Sequence, residues 1–304
     1  MESNYQNNQN QYTDKRPMPE ATDNGVSQAQ STDKNEQENF DTAAWAEQKR
    51  EQRQQLYDLI EEMTDKTLSD PSALSDYLNM QARLGKTSVA NTLLIVAQKP
   101  DATFVANYDD WQKRDRSVKK GEKGAMVLEA NGEYERPDGT VGVNFDVKRV
   151  FDVSQTYGRP VRERSFPSIR SALKAIRTQA PVPIVYSEEI PPSVGARYDD
   201  ADKTLYVARS AEGNDLFFAL SRELARAQTG HDTFLCDCAA NISCLRYGVP
   251  AKYCDRIPDE IASLESREKR SVLNIVRETA CDTIERVDRN LFAERQQARN
   301  QPER

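Results

Sequence analysis

Aromatic and cationic side chains are interleaved between residues 86 and 124, and this mixture suits binding to a single strand of nucleic acid. The aromatic residues are Tyr108 and Trp111, and the cations that follow them are Lys113, Arg114, Arg116, Lys119, Lys120 and Lys123. Aromatic faces stack on unpaired bases, and lysine or arginine neutralises the phosphates between them. A tryptophan beside a basic loop is more commonly a core residue under a solvated turn, so composition alone does not decide between the two.

The acidic charge of the chain is concentrated outside this stretch. The net charge is -7, but residues 1–70 contain 15 acidic and 7 basic side chains, whereas residues 86–124 contain 8 basic and 5 acidic ones. The local excess of positive charge is modest. It predicts phosphate binding of moderate affinity that weakens as salt is added.

The order of the residues in and around this stretch is more informative than its composition. The pattern consists of Ser88, Asn91, Leu93-Leu94-Ile95, Gln98, Pro100, Ala102-Thr103, Trp111 and Val118-Lys119-Lys120-Gly121-Glu122-Lys123-Gly124. It resembles the N-terminal domain of ArdC-type antirestriction proteins, which is also found in LtrC-like proteins of conjugative elements. The resemblance extends over residues 56–156 and ends in Val150-Phe151-Asp152-Val153-Ser154-Gln155-Thr156.

The resemblance implies a single-stranded-DNA-binding protein of a plasmid or conjugative element, because that family's domain binds single-stranded DNA. The expected contact residues are Lys86, Asn91, Gln98, Tyr108, Trp111, Arg114, Arg116, Lys119, Lys120 and Lys123. Within this set we favour Lys119, Lys120 and Lys123 for contact and the core for Trp111. Asn91 and Gln98 are two helical turns apart, so they share a helix face and are expected to hydrogen-bond the DNA or the loop that holds it.

The resemblance also implies a second, zinc-peptidase-like domain, whose helix in that family carries His-Glu-x-x-His. Two histidines four residues apart bind one zinc, and the glutamate activates the bound water. Here the matching positions are Arg222, Glu223 and Arg226, with Asp237 near the expected third ligand. Guanidinium has no lone pair to donate, so we expect no metal, no cofactor and no enzymatic activity.

Several alternatives remain open for these residues. Arg222 and Arg226 either form a cleft that binds phosphate, or hold Glu223 and Asp237 as ion pairs, or are two solvated arginines with no role. His231, the only histidine, lies near Cys236 and Cys238, which leaves an unorthodox metal site and a metallopeptidase-like hydrolase as a competing hypothesis. A third hypothesis is a scaffold that does not bind DNA and binds a protein partner through the C-terminal helix.

The expected fold is α+β in two domains, with helices on a small antiparallel sheet followed by a mostly helical peptidase-like domain. In the first domain, Ser88 caps a helix that Pro100 stops, and Gly85 ends the helix before it. The strands Ala125–Tyr134 and Val141–Val150 form a hairpin through Arg136-Pro-Asp-Gly139.

The second domain is expected to contain short strands and three main helices. The strands are Val182–Tyr186 and Thr204–Ala208, and Asn214 caps a helix that Gly230 ends. A helix over Phe234–Tyr247 and a long helix over Glu268–Leu291 follow.

The predicted boundaries follow from composition for the tails and the linker, and the resemblance implies the identity of the two domains. Residues 1–42 form a disordered polar tail, 43–156 the ArdC-like domain, 157–167 a linker, 168–293 the peptidase-like domain and 294–304 a tail. No apolar run is long enough for a membrane span or a signal peptide, so we expect a cytoplasmic protein with no membrane partner. The five cysteines are expected to be reduced thiols.

Overall fold

The computed structural model describes residues 42–162, 164–230, 232–252 and 255–300. The predicted tail before Thr42, together with His231 and Cys254, lies outside the described residues. The chain divides into two compact units. The smaller contains residues up to Gln54 and Leu128–Val147, and the larger contains Gln55–Val127 and Lys148–Arg304. The fold is mixed α and β, as predicted.

Three helices open the described chain, and two of them begin and end where the sequence predicts. Helix α1 spans Thr42–Thr67, α2 Pro71–Leu84 and α3 Val89–Gln98. Ser88 caps α3 through its hydroxyl, which accepts from the Asn91 N–H. Gly85 ends α2 with a φ of +65°, a conformation that favours glycine. Their apolar faces are buried, so they form the helical layer of the N-terminal part.

A small antiparallel sheet accompanies these helices in the order β1-β4-β3. Strand β1 is Val105–Asn107, β3 Ala125–Glu135 and β4 Val141–Asp152, with the short helix α4 over Tyr108–Gln112. The predicted hairpin turn is confirmed, since the Gly139 N–H donates to Arg136 O at 2.9 Å. Inside the larger unit, the inner ends of β3 and β4 pack on α2 and α3 around Met80, Ile95 and Ala102.

A two-stranded ribbon that the sequence analysis did not predict lies beside this sheet. Strand β2, Arg116–Val118, pairs antiparallel with β5, Thr156–Gly158. A 3-10 turn over Val153–Gln155 connects β4 to β5. The ribbon therefore includes Tyr157 and Gly158, which fall in the segment expected to be a linker.

The later elements form a mixed sheet and five helices in the described residues. The strands are β6 Ile184–Ser187, β7 Ala196–Asp199 and β8 Thr204–Ala208, in the order β6-β8-β7 with β6 parallel to β8. The helices are α5 Ile169–Arg177, α6 Gly213–Thr229, α7 Thr233–Arg246, α8 Asp259–Ala262 and α9 Ser266–Asn300. Strand β7 was not predicted, because four residues are too few for a periodic signal.

Three details of this part correct the sequence analysis. Helix α6 begins at Gly213 after Glu212, so Asn214 is inside the helix and is not its cap. Helix α9 is longer at both ends than Glu268–Leu291. Its apolar face is buried within the chain, as Leu273, Val276, Ala280, Ile284, Val287 and Leu291 show, so a protein partner of this helix would have to contact other residues.

Two further expectations concern the cysteines and the membrane. Cys236, Cys238, Cys244 and Cys281 are free thiols, as predicted. Across the described ranges, no helix combines the length and apolarity that a membrane crossing needs.

Candidate nucleic-acid interface and arginine pocket

The loop Lys119–Gly124, which we call the lysine loop, is held in place by Gln155 at the end of the 3-10 turn. The Lys119 N–H donates to Gln155 O at 2.9 Å. The Gln155 amide in turn donates to Lys123 O at 3.0 Å and to the Glu122 carboxylate at 2.9 Å. Both ends of the loop are thus tied to one residue, the first through the Gln155 backbone carbonyl and the second through its side-chain amide, so the loop has a defined conformation.

Two glycines allow this conformation. Gly121 has a φ of +86°, which side chains rarely adopt. Gly124 lies so close to β4 that a Cβ atom there would be 2.7 Å from Val150 O. Neither position accepts a larger residue without strain, which explains why glycine flanks Glu122 and Lys123.

The three lysines of the loop differ in whether their side chains are hydrogen-bonded within the protein. Lys119 Nζ donates to Ser154 O at 2.7 Å, so this ammonium is already hydrogen-bonded. Lys120 and Lys123 are exposed, and their side chains form no hydrogen bond or ion pair within the part of the chain that the structure describes. The loop therefore presents two available cations.

Tyr157 is an exposed aromatic residue beside the lysine loop, and the sequence analysis missed it. Its side chain is 60% exposed. Tyr157 pairs with Ser117 across the ribbon, and the next pair, Thr156 with Val118, directly precedes the loop. Thr156 and Tyr157 are strand-forming residue types, but a three-residue strand gives no periodic signal. Tyr108, which was predicted, is also half exposed.

Trp111 is a core residue, so the preference for burial is confirmed. Its ring is fully buried, its indole N–H donates to Phe151 O at 2.9 Å, and its ring meets Phe104 edge-on at 5.4 Å. Such a ring has no open face for a base. The inclusion of Trp111 among the contact residues is therefore wrong for this conformation, because the fold uses both its apolar faces and its polar atom.

Arg116 also has a structural role. Its guanidinium donates to the Thr156 hydroxyl at 2.8 Å, to Thr156 O at 3.1 Å and to Arg159 O, and it lies 5.7 Å from the centre of the Trp111 ring. These contacts join β2 to β5. Arg114, by contrast, is exposed and lies 5.2 Å from the centre of the Phe104 ring.

The residues predicted on and before α3 contact protein. Lys86 forms an ion pair of 2.7 Å with Glu285 of α9, which raises the pKa of Lys86. The Gln98 amide binds the backbone of Met126 in β3. Asn91 is half-buried, and its N–H completes the cap of α3. Of the predicted set, Lys120 and Lys123 of the lysine loop thus remain accessible, as do Tyr108 and Arg114. Tyr157 adds an exposed aromatic side chain that was not predicted.

A second cluster of predicted residues consists of Arg222, Glu223 and Arg226 on α6 and Asp237 on α7. Glu223 is buried, and its carboxylate accepts from the Tyr198 N–H at 2.9 Å and from Arg222 Nε at 2.8 Å. Arg222 Nη1 lies 3.9 Å from Asp237 Oδ1. Arg222 therefore holds Glu223 and Asp237 as ion pairs, whereas Arg226 is exposed.

Arg222, Glu223 and Arg226 line an open cavity of about 270 Å³, which we call the arginine pocket. Desolvation raises the pKa of Asp237, and Arg222 offsets this only in part. Burial raises the pKa of the Cys236 thiol to about 11, which disfavours the thiolate that binds metals. The walls of the pocket are Val194, Ala196, Arg197, Arg222, Glu223, Arg226, Thr233 and Cys236.

This donor set does not fit a zinc ion. Arg222 and Arg226, at the positions that the resemblance matches to two histidines, add positive charge where a cation would have to bind. In the described part of the chain, no group of three or more histidine, cysteine, aspartate or glutamate side chains is placed to hold a metal ion. His231 lies outside that part.

Part of the chain is similar to a known protein family. Residues 46–159 match the family described as the N-terminal domain of anti-restriction factor ArdC. No curated protein matches the chain. Solved structures of the antirestriction ArdC protein from the R388 plasmid, metal-free and Mn(II)-bound, are each 16% identical to this chain with a TM-score of 0.49. They cover 78% and 77% of this chain and 98% of their own. The family match confirms the predicted resemblance over residues 46–159, where the chain is similar to the N-terminal domain of anti-restriction factor ArdC.

Proposed function

We propose that the ArdC-type domain of this chain binds single-stranded DNA through the lysine loop and Tyr157, in an antirestriction-related role of a plasmid or conjugative element. The observation that carries the proposal is the pair of unpaired ammonium groups of Lys120 and Lys123 beside an aromatic ring that is 60% exposed. Cations of this kind bind successive phosphates, and the tyrosine ring stacks on a base. The family match supports the antirestriction role.

The exposed ring favours a single strand over a duplex. A base in a duplex is already stacked on its neighbours, whereas an unpaired base offers a free face to an aromatic side chain. Two available lysines provide few phosphate contacts, so the affinity depends on salt but is moderate. The remaining cations of the stretch contribute less, because Lys113 pairs with Asp110 at 2.9 Å and Arg116 joins the two ribbon strands.

Fluorescence anisotropy tests this proposal with the full chain. A labelled single strand of mixed sequence and a duplex of the same length are titrated at low salt and at rising salt. We expect tighter binding to the single strand and an affinity that falls as salt rises. Equal affinity for the duplex, or no binding at low salt, would remove the proposal.

The part of the chain that follows this domain has no peptidase activity under this proposal. Arg222 and Arg226 support this, because both positions that would ligate zinc carry permanent positive charge. Glu223 supports it too, since its carboxylate already accepts two hydrogen bonds and is not directed at a water on a metal. Elemental analysis and a peptide-cleavage assay test it, and one zinc per purified chain with cleavage of a peptide would contradict it.

A further inference from the structure

The arginine pocket contains more positive charge than its own carboxylates neutralise. Arg222 is bound to Glu223 at 2.8 Å, and Glu223 accepts a second hydrogen bond from Tyr198, so this carboxylate is fully paired. The guanidinium groups of Arg197 and Arg226 form no hydrogen bond or ion pair with any described residue. Two arginines of the pocket are therefore available to a ligand.

The two available arginines come from different elements that meet at one cavity. Arg197 lies on β7, and Arg226 lies on α6 one turn after Arg222, so Arg222 and Arg226 share a helix face. Strand β7 is fixed to α6 by the hydrogen bond from the Tyr198 N–H to Glu223. Thr233, the first residue of α7, adds a hydroxyl to the same cavity. The cavity of about 270 Å³ is large enough for a small polar ligand.

The geometry points to a binding site for a phosphate group, either as inorganic phosphate or as a phosphate monoester. A carboxylate has two oxygens and one charge, which a single bidentate arginine satisfies. A phosphate has additional oxygens and up to two negative charges, so it can accept from Arg197 and Arg226 on two sides at once. Asp237 opposes any anion, and Arg222, whose Nη1 lies 3.9 Å from Asp237 Oδ1, offsets this charge only in part because Arg222 also pairs with Glu223.

Calorimetric titration tests this site in the full chain carrying Lys120→Ala and Lys123→Ala, so that phosphate bound at the lysine loop does not contribute. The titrants are inorganic phosphate, a nucleoside monophosphate and acetate. We expect saturable binding of the two phosphates and much weaker binding of acetate. Equal affinity for both phosphates assigns the site to the phosphate group alone, and tighter binding of the nucleoside monophosphate assigns it to an ester.

Single substitutions locate the site. Arg197→Ala and Arg226→Ala are each expected to weaken phosphate binding by about tenfold or more, since each removes charge-assisted hydrogen bonds. Both side chains are exposed, so the melting temperature should stay unchanged. Arg170→Ala removes an exposed arginine of α5 that is not part of the pocket, and should have no effect. Asp237→Asn removes the opposing charge and should strengthen binding.

Three results with the phosphate and acetate titrations would overturn the inference, and so would one result with the control variant. They are the absence of saturable phosphate binding, an undiminished affinity in both Arg197→Ala and Arg226→Ala, and acetate binding as tight as that of phosphate. A loss in Arg170→Ala equal to that in the pocket variants would also overturn it, because the binding would then be general attraction to surface charge.

Discussion

Gln98 binds both polar backbone groups of Met126. The Gln98 Nε2 donates to Met126 O at 2.9 Å, and Gln98 Oε1 accepts from the Met126 N–H at 2.8 Å. One side chain at the end of α3 thereby fixes the first residues of the hairpin strand β3, which begins directly after the lysine loop. Gln98, predicted above as a possible DNA contact, is thus seen to position the sheet that follows the loop.

Gln98→Ala should therefore destabilise the protein. The substitution leaves the N–H and C=O of Met126 without partners in a half-buried place, and we expect a loss of about 1–3 kcal/mol in the free energy of unfolding. Urea unfolding measures this loss. Gln112→Ala, at an exposed glutamine of α4, is the matched control and should change stability little. An unchanged midpoint for Gln98→Ala would mean that the hydrogen bonds to Met126 contribute nothing.

Replacing Lys120 and Lys123 together by alanine should lower the salt dependence of DNA binding. Each lost phosphate contact reduces the slope of log affinity against log salt by about 0.7 for single strands, so the double variant should lose about 1.4. Lys203→Ala is the control, because Lys203 is an exposed lysine that pairs with Asp200 at 3.0 Å. The same slope in the double variant and in the parent protein would show that the DNA lies elsewhere.

Tyr157→Ala should weaken single-strand binding by about 1–3 kcal/mol, the usual contribution of one stacked base, without changing the melting temperature. The reason is that the ring is mostly exposed and contributes little to the core. Tyr157→Phe keeps the stacking face and should bind nearly as well as the parent. If Tyr157→Phe loses as much affinity as Tyr157→Ala, the hydroxyl rather than the ring makes the contact.

Most elements of the N-terminal part could be predicted from the sequence, because their signals are local. Ser88 and Gly85 mark helix ends by their own chemistry, and Asp138-Gly139 marks the hairpin turn. The roles of Arg116 and Trp111 were less accessible. Arg116 donates to Thr156 and Trp111 donates to Phe151, and each pair is about 40 residues apart in the sequence. A local sequence pattern does not predict such contacts.

The site was predicted only in part for the same reason. The glycines and lysines of the loop are contiguous, so the sequence identified them together. Tyr157 joins them only because β2 pairs with β5, and Arg197 joins Arg222 and Arg226 only because β7 packs on α6. The sequence analysis found the short strands β6 and β8 but missed β2, β5 and β7, and no local pattern shows which strands pair or pack together.

Asp152 should make stability depend on pH in the acid range. Burial alone would raise the pKa of its carboxyl group, but hydrogen bonds from the N–H groups of Ser154, Thr103 and Phe104 outweigh this and lower it. Because the pKa of Asp152 is lower in the folded state, its ionised form stabilises the fold at pH values above the unfolded-state pKa of about 3.9. This contribution to stability is lost as the pH falls through the folded-state pKa.

The measurement compares the parent protein with Asp152→Asn by urea unfolding at a series of pH values. Asparagine keeps only one acceptor oxygen, so the variant should be less stable near neutral pH, and the difference should shrink as pH falls below about 4. Asp76→Asn, at an exposed position of α2, is the control and should follow the parent curve. A difference that stays constant with pH would show that the charge of Asp152 is not what stabilises this turn.

Arg222→His combined with Arg226→His should create a zinc site on α6. The two positions are one turn apart on α6, so two imidazoles there can face one ion. Arg222 Nη1 lies 3.9 Å from Asp237 Oδ1, which places a third ligand within reach. Without zinc, the double variant leaves Glu223 buried and unpaired with any cation, and we expect a loss of several kcal/mol, about 3–5, in stability.

Zinc should restore this loss, because the bound ion replaces the positive charge of Arg222. The expected result is a melting temperature that rises with zinc in the double variant and does not move in the parent, with one zinc per chain by elemental analysis. Adding Asp237→Asn to the double variant should weaken zinc binding. If the double variant binds no zinc, Arg222 and Arg226 do not occupy ligand positions, and the proposal that this part of the chain lacks peptidase activity loses its support.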